Sequence, residues 1–431
     1  MWGLAKAHKG QFGGFRVRQL LCRTVALTEM GGCMPDVEIR PARAEEMGEF
    51  ARQAARQLAL PAEMFEGMAA EWTMCAFVDG AVATTLAAWP LQIRLNGRAV
   101  RIAGVTQVST HPAHRRRGYL RAVTARQFEL MHEKREVAFA GLHPAWVAIY
   151  QRYGYGCVHQ RIGYRIAPRD IAFHRPVAVR GGVREVDPEA AFGVLVEVYR
   201  RYREARTGLV HRGRAMWQAG ALQAAEAGQS RVVLAYEEAG ETLGYIVYCH
   251  DGGARPRQLR VNDLFALTPA AHQALWQVLA GYDNVEEVVW DNAPADDPLP
   301  LMLVEPQQLN QSVRDGIMAR LVTVADAMAQ RPYALASALR FGLADSFCAW
   351  NAGAWLVVTS ADGGEVQRID GQEVDFTLTP DTLASLVFGR FNATQAAAAG
   401  LLDGVRGREA LARWDAVLRL EHPPHEAEHT W

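Results

Sequence analysis

The sequence predicts a mixed α/β (α+β) protein built from three consecutive units. Three observations lead there. Val105–Thr110 reads as a strand that stops at Pro112 and gives way, past Gly118, to an amphipathic helix. Two hairpin signals precede it, Asp79-Gly80 and Asn96-Gly97, each flanked by apolar alternation. A similar succession of strands and a helix then recurs after residue 183, with a further strand–helix set behind it. At about 150 residues per domain, a chain of 431 residues accommodates two or three such units.

Residues 1–33 stand apart. Lys6, Lys9, Arg16, Arg18 and Arg23 face only Glu29, and the apolar runs are too short and interrupted for a signal peptide. A flexible extension is expected there, or a start codon placed too early. The first unit is assigned to 34–168. Val37–Arg40 opens it as a strand, and Pro41–Glu46 leads into a helix. The two hairpins follow, then the strand at Val105, its helix, a buried strand over Val137–Leu142, and the aromatic run Ile149–Gly156. On the helix Leu120, Val123, Phe128 and Met131 can share one face, with Arg121, Arg126 and Glu129 mostly outside it.

The turn between that strand and helix has the chemistry of an anion site. A helix start exposes unpaired backbone N–H groups and carries partial positive charge. Gly118 lacks a Cβ, so an oxygen atom can approach the main chain, and Arg115, Arg116 and Arg117 add guanidinium forks. A pyrophosphate suits this arrangement.

The second unit is assigned to 169–314. Arg231–Tyr236 and Thr242–Tyr248 read as paired strands, Leu259–Pro269 as a further strand ending in proline, and Val285–Trp290 as a strand after a helix through Leu275, Trp276 and Leu279. Aligning Pro112 with Pro269 sets Arg115–Gly118 against His272–Leu275. The repeat has lost its arginines and its glycine together, so this copy is expected to bind no acyl-CoA. The third unit is assigned to 315–431, with strands at Met318–Val324, Ala354–Thr359 and Val374–Thr379. Pro380-Asp381 starts a helix, and Ala396–Ala399 belongs to another.

Composition narrows the function. A net charge of −1 gives no nucleic-acid footprint. Six cysteines without CxxC spacing suit free thiols in a reducing cytosol, and no apolar run approaches the roughly 18 residues of a membrane span. A cytoplasmic protein with no membrane and no nucleic-acid partner is expected.

Arg115-Arg116-Arg117-Gly118-Tyr119-Leu120 resembles the Arg/Gln-x-x-Gly-x-Gly/Ala pyrophosphate loop of the GNAT acetyltransferases, relaxed by Leu120 at its last position. Leu142-His143, Ile149–Gly156 as Ile-Tyr-x-Arg-x-Gly-Tyr-Gly, Asp297-Pro298-Leu299-Pro300 and an aromatic last residue extend the likeness from Met34 to Trp431. Together they resemble the Eis-type N-acetyltransferases, built from an active GNAT domain, a degenerate GNAT domain and a sterol-carrier-like domain. That resemblance implies tandem GNAT folds and acetyl-CoA as the acetyl donor. It also implies direct transfer in a ternary complex to a primary amine of an aminoglycoside, a polyamine or a lysine. Val108-Ser109-Thr110 would be the splayed strand along the acyl chain, with Val108 as the oxyanion donor. Arg116, Arg117, Gly118, Tyr119, Leu120 and Arg121 would hold the pyrophosphate, largely through backbone. Tyr150 would be the general acid, since a phenol of pKa about 10 can protonate a thiolate. The carboxylate of Trp431, reaching into the first unit, would be the base. A homohexamer is implied on the same ground. Glu66, Glu71, Trp72 and Trp89 are candidates for lining the acceptor pocket, while Thr430, where relatives can carry an acid, speaks against tight polycation binding.

Two other readings compete. His425-Glu426-Ala427-Glu428-His429 matches the H-E-x-x-H pattern of zinc proteases, but Pro423-Pro424 and the chain end leave no room for a supported helix, so no metal is expected. A non-catalytic protein using the sterol-carrier-like unit for a lipid or a partner is the other alternative.

Overall fold

The computed structural model describes residues 35–428 apart from 62–64, 66, 189, 224–228, 252–255 and 371–372. The expected extension 1–33, Glu66 and Trp431 thus lie outside the described residues.

The first unit opens with β1 (Val37–Arg40) and helix α1 (Met47–Leu58), then β2 (Cys75–Val78), β3 (Ala81–Leu95) and β4 (Arg98–Thr110). Both predicted hairpin tips turn with two left-handed residues: φ is 51° and 82° at Asp79-Gly80, and 47° and 83° at Asn96-Gly97. That is the geometry whose twist matches the flanking strands. Helix α2 (Tyr119–Lys134), β5 (Phe139–Leu142), the short helix α3 (Val147–Gln151), β6 (Gly156–Cys157) and β7 (Gln160–Ile166) follow. Val123 and Phe128 of α2 are fully buried against the sheet, as the helical spacing predicts.

The second unit supplies β8 (Gly182–Glu185), β9 (Gln229–Glu238), β10 (Glu241–Asp251), β11 (Gln258–Ala266), β12 (Glu287–Ala293) and β13 (Ser312–Asp315). The third supplies β14 (Met318–Leu321), β15 (Ser337–Leu343), β16 (Gly353–Ser360), β17 (Gly363–Arg368) and β18 (Phe376–Leu378).

Strand pairing crosses the sequence divisions. The first sheet runs β1-β2-β3-β4-β5-β14-β6, the second β13-β7-β12-β11-β10-β9-β8, and the third β17-β16-β15-β18. Each large sheet has one parallel pair, β4 with β5 and β11 with β12. Beside that pair stands a strand from the other half of the chain. β14, which the sequence reading gives to the third unit, pairs with β5 and β6. β7, read within the first unit, pairs with β12 and β13. One hydrophobic core continues from Ile93, Ile102 and Phe139 through Leu321 into Leu383, Phe388 and Trp414, so the third unit packs directly on the first sheet. Phe139 meets Phe388 edge-on at 5.9 Å.

Candidate active site

Two strands part to open a cavity. β4 and β5 run parallel only from Ile102–Phe139 to Val105–Leu142. On its other side β4 bulges: Thr85 pairs with Ser109 and Ala87 with Thr106, leaving Gln107 and Val108 opposite Leu86. Gln107 takes a left-handed φ of 53°, a conformation unusual for a residue with a side chain. Thr85 fixes it, donating Oγ1 to the Gln107 carbonyl at 2.8 Å and sharing a 2.7 Å hydrogen bond with Ser109 Oγ. A bulge bends the strand that carries it, and here it turns the end of β4 away from β5. Beside this bend lies a cavity of about 270 Å³ whose wall includes Val108, His143, Tyr150, Leu58, Leu60, Phe65 and Trp89.

Tyr150 sits on α3, beyond the loop that follows β5, and lines the cavity. Burial, with a smaller contribution from Tyr153, pushes its phenol up to about 12. Its sequence neighbours Tyr153 and Tyr155 are packed in the core, with Tyr155 against Phe128 at 5.8 Å and Tyr153 against Phe347 at 5.2 Å.

The arginine loop closes the other side of the β4 end. Arg115 Nε donates to the Thr110 carbonyl at 3.1 Å, folding the loop back on its strand. Arg116 and Gly118, with φ of 63° and 86°, bracket Arg117 in left-handed backbone, a pattern that turns successive N–H groups into an anion-binding concavity. Gly118 caps α2 with no side-chain bond, and a Cβ there would meet nothing within 4 Å, so the space at the helix start is open. A pyrophosphate fits this concavity. Tyr119 and Leu120, in the first turn, offer main-chain N–H groups, and their side chains lean on the core. Arg121 points its guanidinium over the Phe347 ring at 4.9 Å, so its side chain serves packing with the third unit. Ser109 is buried and bound to Thr85, and the Thr110 carbonyl is engaged by Arg115.

In the second unit the corresponding positions lie inside a helix, Pro269–Ala280, that starts with a Thr268 cap and Pro269. His272 bonds Asp297 through Nε2 at 2.9 Å, and Gln273 Oε1 accepts from the Val177 N–H at 2.6 Å, so the chain near 177 lies against this helix.

Residues 425–428 lie close to His143 of the cavity wall, with Glu426 Oε2 3.7 Å from its Nε2. His425 to Glu428 is buried and not helical: the His425 N–H donates to the Thr207 carbonyl at 2.8 Å, and Asn292 Nδ2 donates to the Glu426 carbonyl at 2.9 Å. Residues 425–428 thus lack the helix that zinc-protease geometry needs. Arg212, buried, holds Asp263 at 2.6 and 3.2 Å and also bonds Glu428. Arg161 donates to the Glu428 carbonyl at 2.5 Å and meets His143 Nδ1 at 3.2 Å. The last described residue is therefore one side chain away from the cavity wall.

The acceptor candidates separate. Trp89 lines the cavity with Tyr150, but Glu71 and Trp72 line a second cavity of about 300 Å³ beside α2, with Met74, Gln127 and Lys134. Sequence proximity could not show that they serve a different space. Thr106, Gln107, Leu58, Leu60 and Phe65 are wall residues that the sequence reading missed. Nothing local marks them, because the bulge that gathers them depends on pairing with Thr85.

Among the described residues, no group of His, Cys, Asp or Glu side chains is placed to hold a metal ion, and no helix is long and apolar enough to cross a membrane.

Residues 38–158 match the model of an acetyltransferase (GNAT) domain, residues 208–321 match a second model of that description, and residues 324–426 match a sterol carrier protein domain. An uncharacterised N-acetyltransferase of Streptomyces avermitilis is 30% identical over 325 residues, which span 72% of this chain and 77% of that protein. N-acetyltransferase Eis of Mycobacterium tuberculosis is 28% identical over 382 residues, 83% of this chain and 91% of its own. The crystal structure of Eis1 from Mycobacterium abscessus superposes with a TM-score of 0.78 at 26% identity, covering 91% of this chain and 100% of that one.

Proposed function

The chain belongs to the Eis-like N-acetyltransferases, acyltransferases with two GNAT domains and a sterol-carrier-like domain, and on that premise we propose that it moves an acetyl group to a primary amine by direct transfer in a ternary complex. GNAT enzymes take the acetyl group from acetyl-CoA, which supplies an activated thioester. The observation that carries the reading is the meeting of Val108, Tyr150 and His143 at one cavity beside the arginine loop.

In this reading the main chain of Arg116–Arg121 holds the pyrophosphate, and the acyl chain lies along Val108–Thr110. The Val108 N–H stabilises the carbonyl oxygen as it becomes anionic. Tyr150 protonates the departing sulfur. A phenol pushed up to about 12 is a weak acid, but burial also raises thiols, as at Cys75, which reaches about 12 through desolvation. A thiolate expelled into the same cavity gains basicity for the same reason. The carboxylate of Trp431 takes the amine proton, a role supported by the course of the chain as far as Glu428. The roles divide as a catalytic GNAT unit over 34–168, a non-catalytic GNAT copy over 169–314 and a sterol-carrier-like unit over 315–431. A cytoplasmic homohexamer belongs to the same proposal.

Initial rates of CoA release, with acetyl-CoA and an amine varied together, test the central claim. Intersecting lines are expected; parallel lines would mean an acetylated enzyme and sink direct transfer. Appending residues after Trp431 is expected to cut kcat by about tenfold or more with acetyl-CoA affinity intact, because the base is moved. Gly118→Val forces a β-branched residue into φ of 86° and should weaken acetyl-CoA binding by about tenfold or more in calorimetry. Unchanged affinity in Gly118→Val would remove the loop from the site.

A further inference from the structure

The second cavity lies on the other face of the first sheet. Ala88 and Trp89 are successive residues of β3, and successive strand residues point to opposite faces. Trp89 lines the cavity at the bulge, and Ala88 lines the one of about 300 Å³ beside α2. Residue size explains why the space exists. Gln127, Leu130, Met131 and Lys134, spaced by three and four residues, bring one face of α2 over the sheet. Below them the strands present Ala88 and Ala103, too small to fill the gap. Protein interiors rarely leave such a space unfilled, and an empty one costs stability in proportion to its volume. An apolar cavity of about 150 Å³ holds a benzene ring, so this one has room for two fused rings.

One polar atom on this wall has an unmet need. Gln127 is only 8% exposed, and its Oε1 is buried with no hydrogen-bond partner. Thr73, the other buried polar side chain on the wall, is already engaged: its hydroxyl donates to the Ala70 carbonyl at 2.7 Å and accepts from the Ala42 N–H at 2.9 Å. A buried amide oxygen without a donor is costly, and a ligand with one N–H or O–H removes that cost. Charge is confined to the mouth, because the charged wall residues Glu71, Lys134 and Glu136 are all exposed. The interior therefore suits a neutral molecule. Met74 and Met131 bring thioether sulfurs to the wall and Trp72 an indole ring, groups that favour contact with aromatic rings.

We propose that this cavity is a ligand site separate from the site of acetyl transfer. Its ligand is a neutral molecule of two fused rings with one hydrogen-bond donor, the donor on Gln127 Oε1 and the rings among Met74, Trp72 and Met131. The assignment does not depend on the acetyl-transfer reading. The wall takes the second half of α2, while the arginine loop precedes its first turn, so this ligand and a pyrophosphate do not compete for space.

The full chain is titrated by calorimetry with indole and with benzofuran, which has the same two rings and an oxygen in place of the N–H. Indole is expected to bind with a Kd of about 1 mM or tighter, and benzofuran about fivefold or more weakly than indole, because only indole supplies a donor. Gln127→Leu keeps the bulk of the side chain and removes the acceptor, so it should abolish that difference. Ala103→Leu fills the cavity from the sheet, and Leu130→Trp fills it from a half-buried position on the helix. Each should weaken indole by about tenfold or more, with cooperative thermal unfolding showing that the variant is folded. If Ala103→Leu fails to fold, Leu130→Trp decides. The assignment is overturned if indole does not bind, if the two molecules bind equally, if the preference survives Gln127→Leu, or if Leu130→Trp binds indole as the parent does.

Discussion

Tyr150→Phe is expected to lower kcat by about 10²- to 10³-fold while acetyl-CoA binds as before. The substitution removes one oxygen and keeps the ring, including its edge contact with Tyr155 at 6.0 Å, so the fold has no reason to change. In the proposed transfer the hydroxyl acts on sulfur only as the C–S bond breaks, so its loss should appear in kcat and kcat/KM together. Tyr153→Phe is the matched control. That residue is buried against Phe347, and its variant should keep full activity. Equal losses in the two variants, or none in either, would take Tyr150 out of the reaction.

Arg320→Met is expected to destabilise the protein by about 3–5 kcal/mol, the usual cost of leaving one member of a buried ion pair alone. Arg320 is fully buried in β14 and donates to Asp345 Oδ2 at 2.5 Å. It also bonds the Tyr153 carbonyl in the turn after Tyr150, and its guanidinium lies 5.2 Å from the Phe128 ring centre. Asp345 in turn accepts the N–H groups of Phe347 and Cys348 at 3.1 and 2.9 Å. One guanidinium thus joins the first sheet, the Tyr150 turn and a loop of the third unit. Denaturant unfolding of the single variant measures the loss, and adding Asp345→Leu should recover part of it by removing the stranded carboxylate. Because the Tyr153 carbonyl also loses its donor, kcat should fall in the surviving folded protein. A single variant as stable as the parent would mean that the pair contributes nothing.

Much of this architecture was legible where short-range physics decides it. Asp79-Gly80 and Asn96-Gly97 announce their turns because few other pairs accept two left-handed residues, and both hairpins form there. The strand ending at Thr110 and the helix from Tyr119 follow from β-branched residues, Pro112 and the spacing of Val123 and Phe128. Pairing partners were not legible. Nothing in Met318–Leu321 or Gln160–Ile166 says which sheet each will join, since an apolar strand suits either. The same gap explains the cavity wall. Trp89 was reached by residue type, but Glu71 and Trp72 were grouped with it because nothing in the sequence told which cavity they line. Gln107 was passed over because its left-handed backbone depends on Thr85, a partner on the preceding strand.

The crossing of β7 and β14 makes the two large sheets mutual debtors. Cut after residue 168, the leading segment would carry a loose β7 and an unfilled gap between β5 and β6, an open strand edge of the kind that invites aggregation. The trailing segment would be short of the strand between β13 and β12. Neither part holds a complete large sheet, and the first sheet is finished only after translation has passed residue 321.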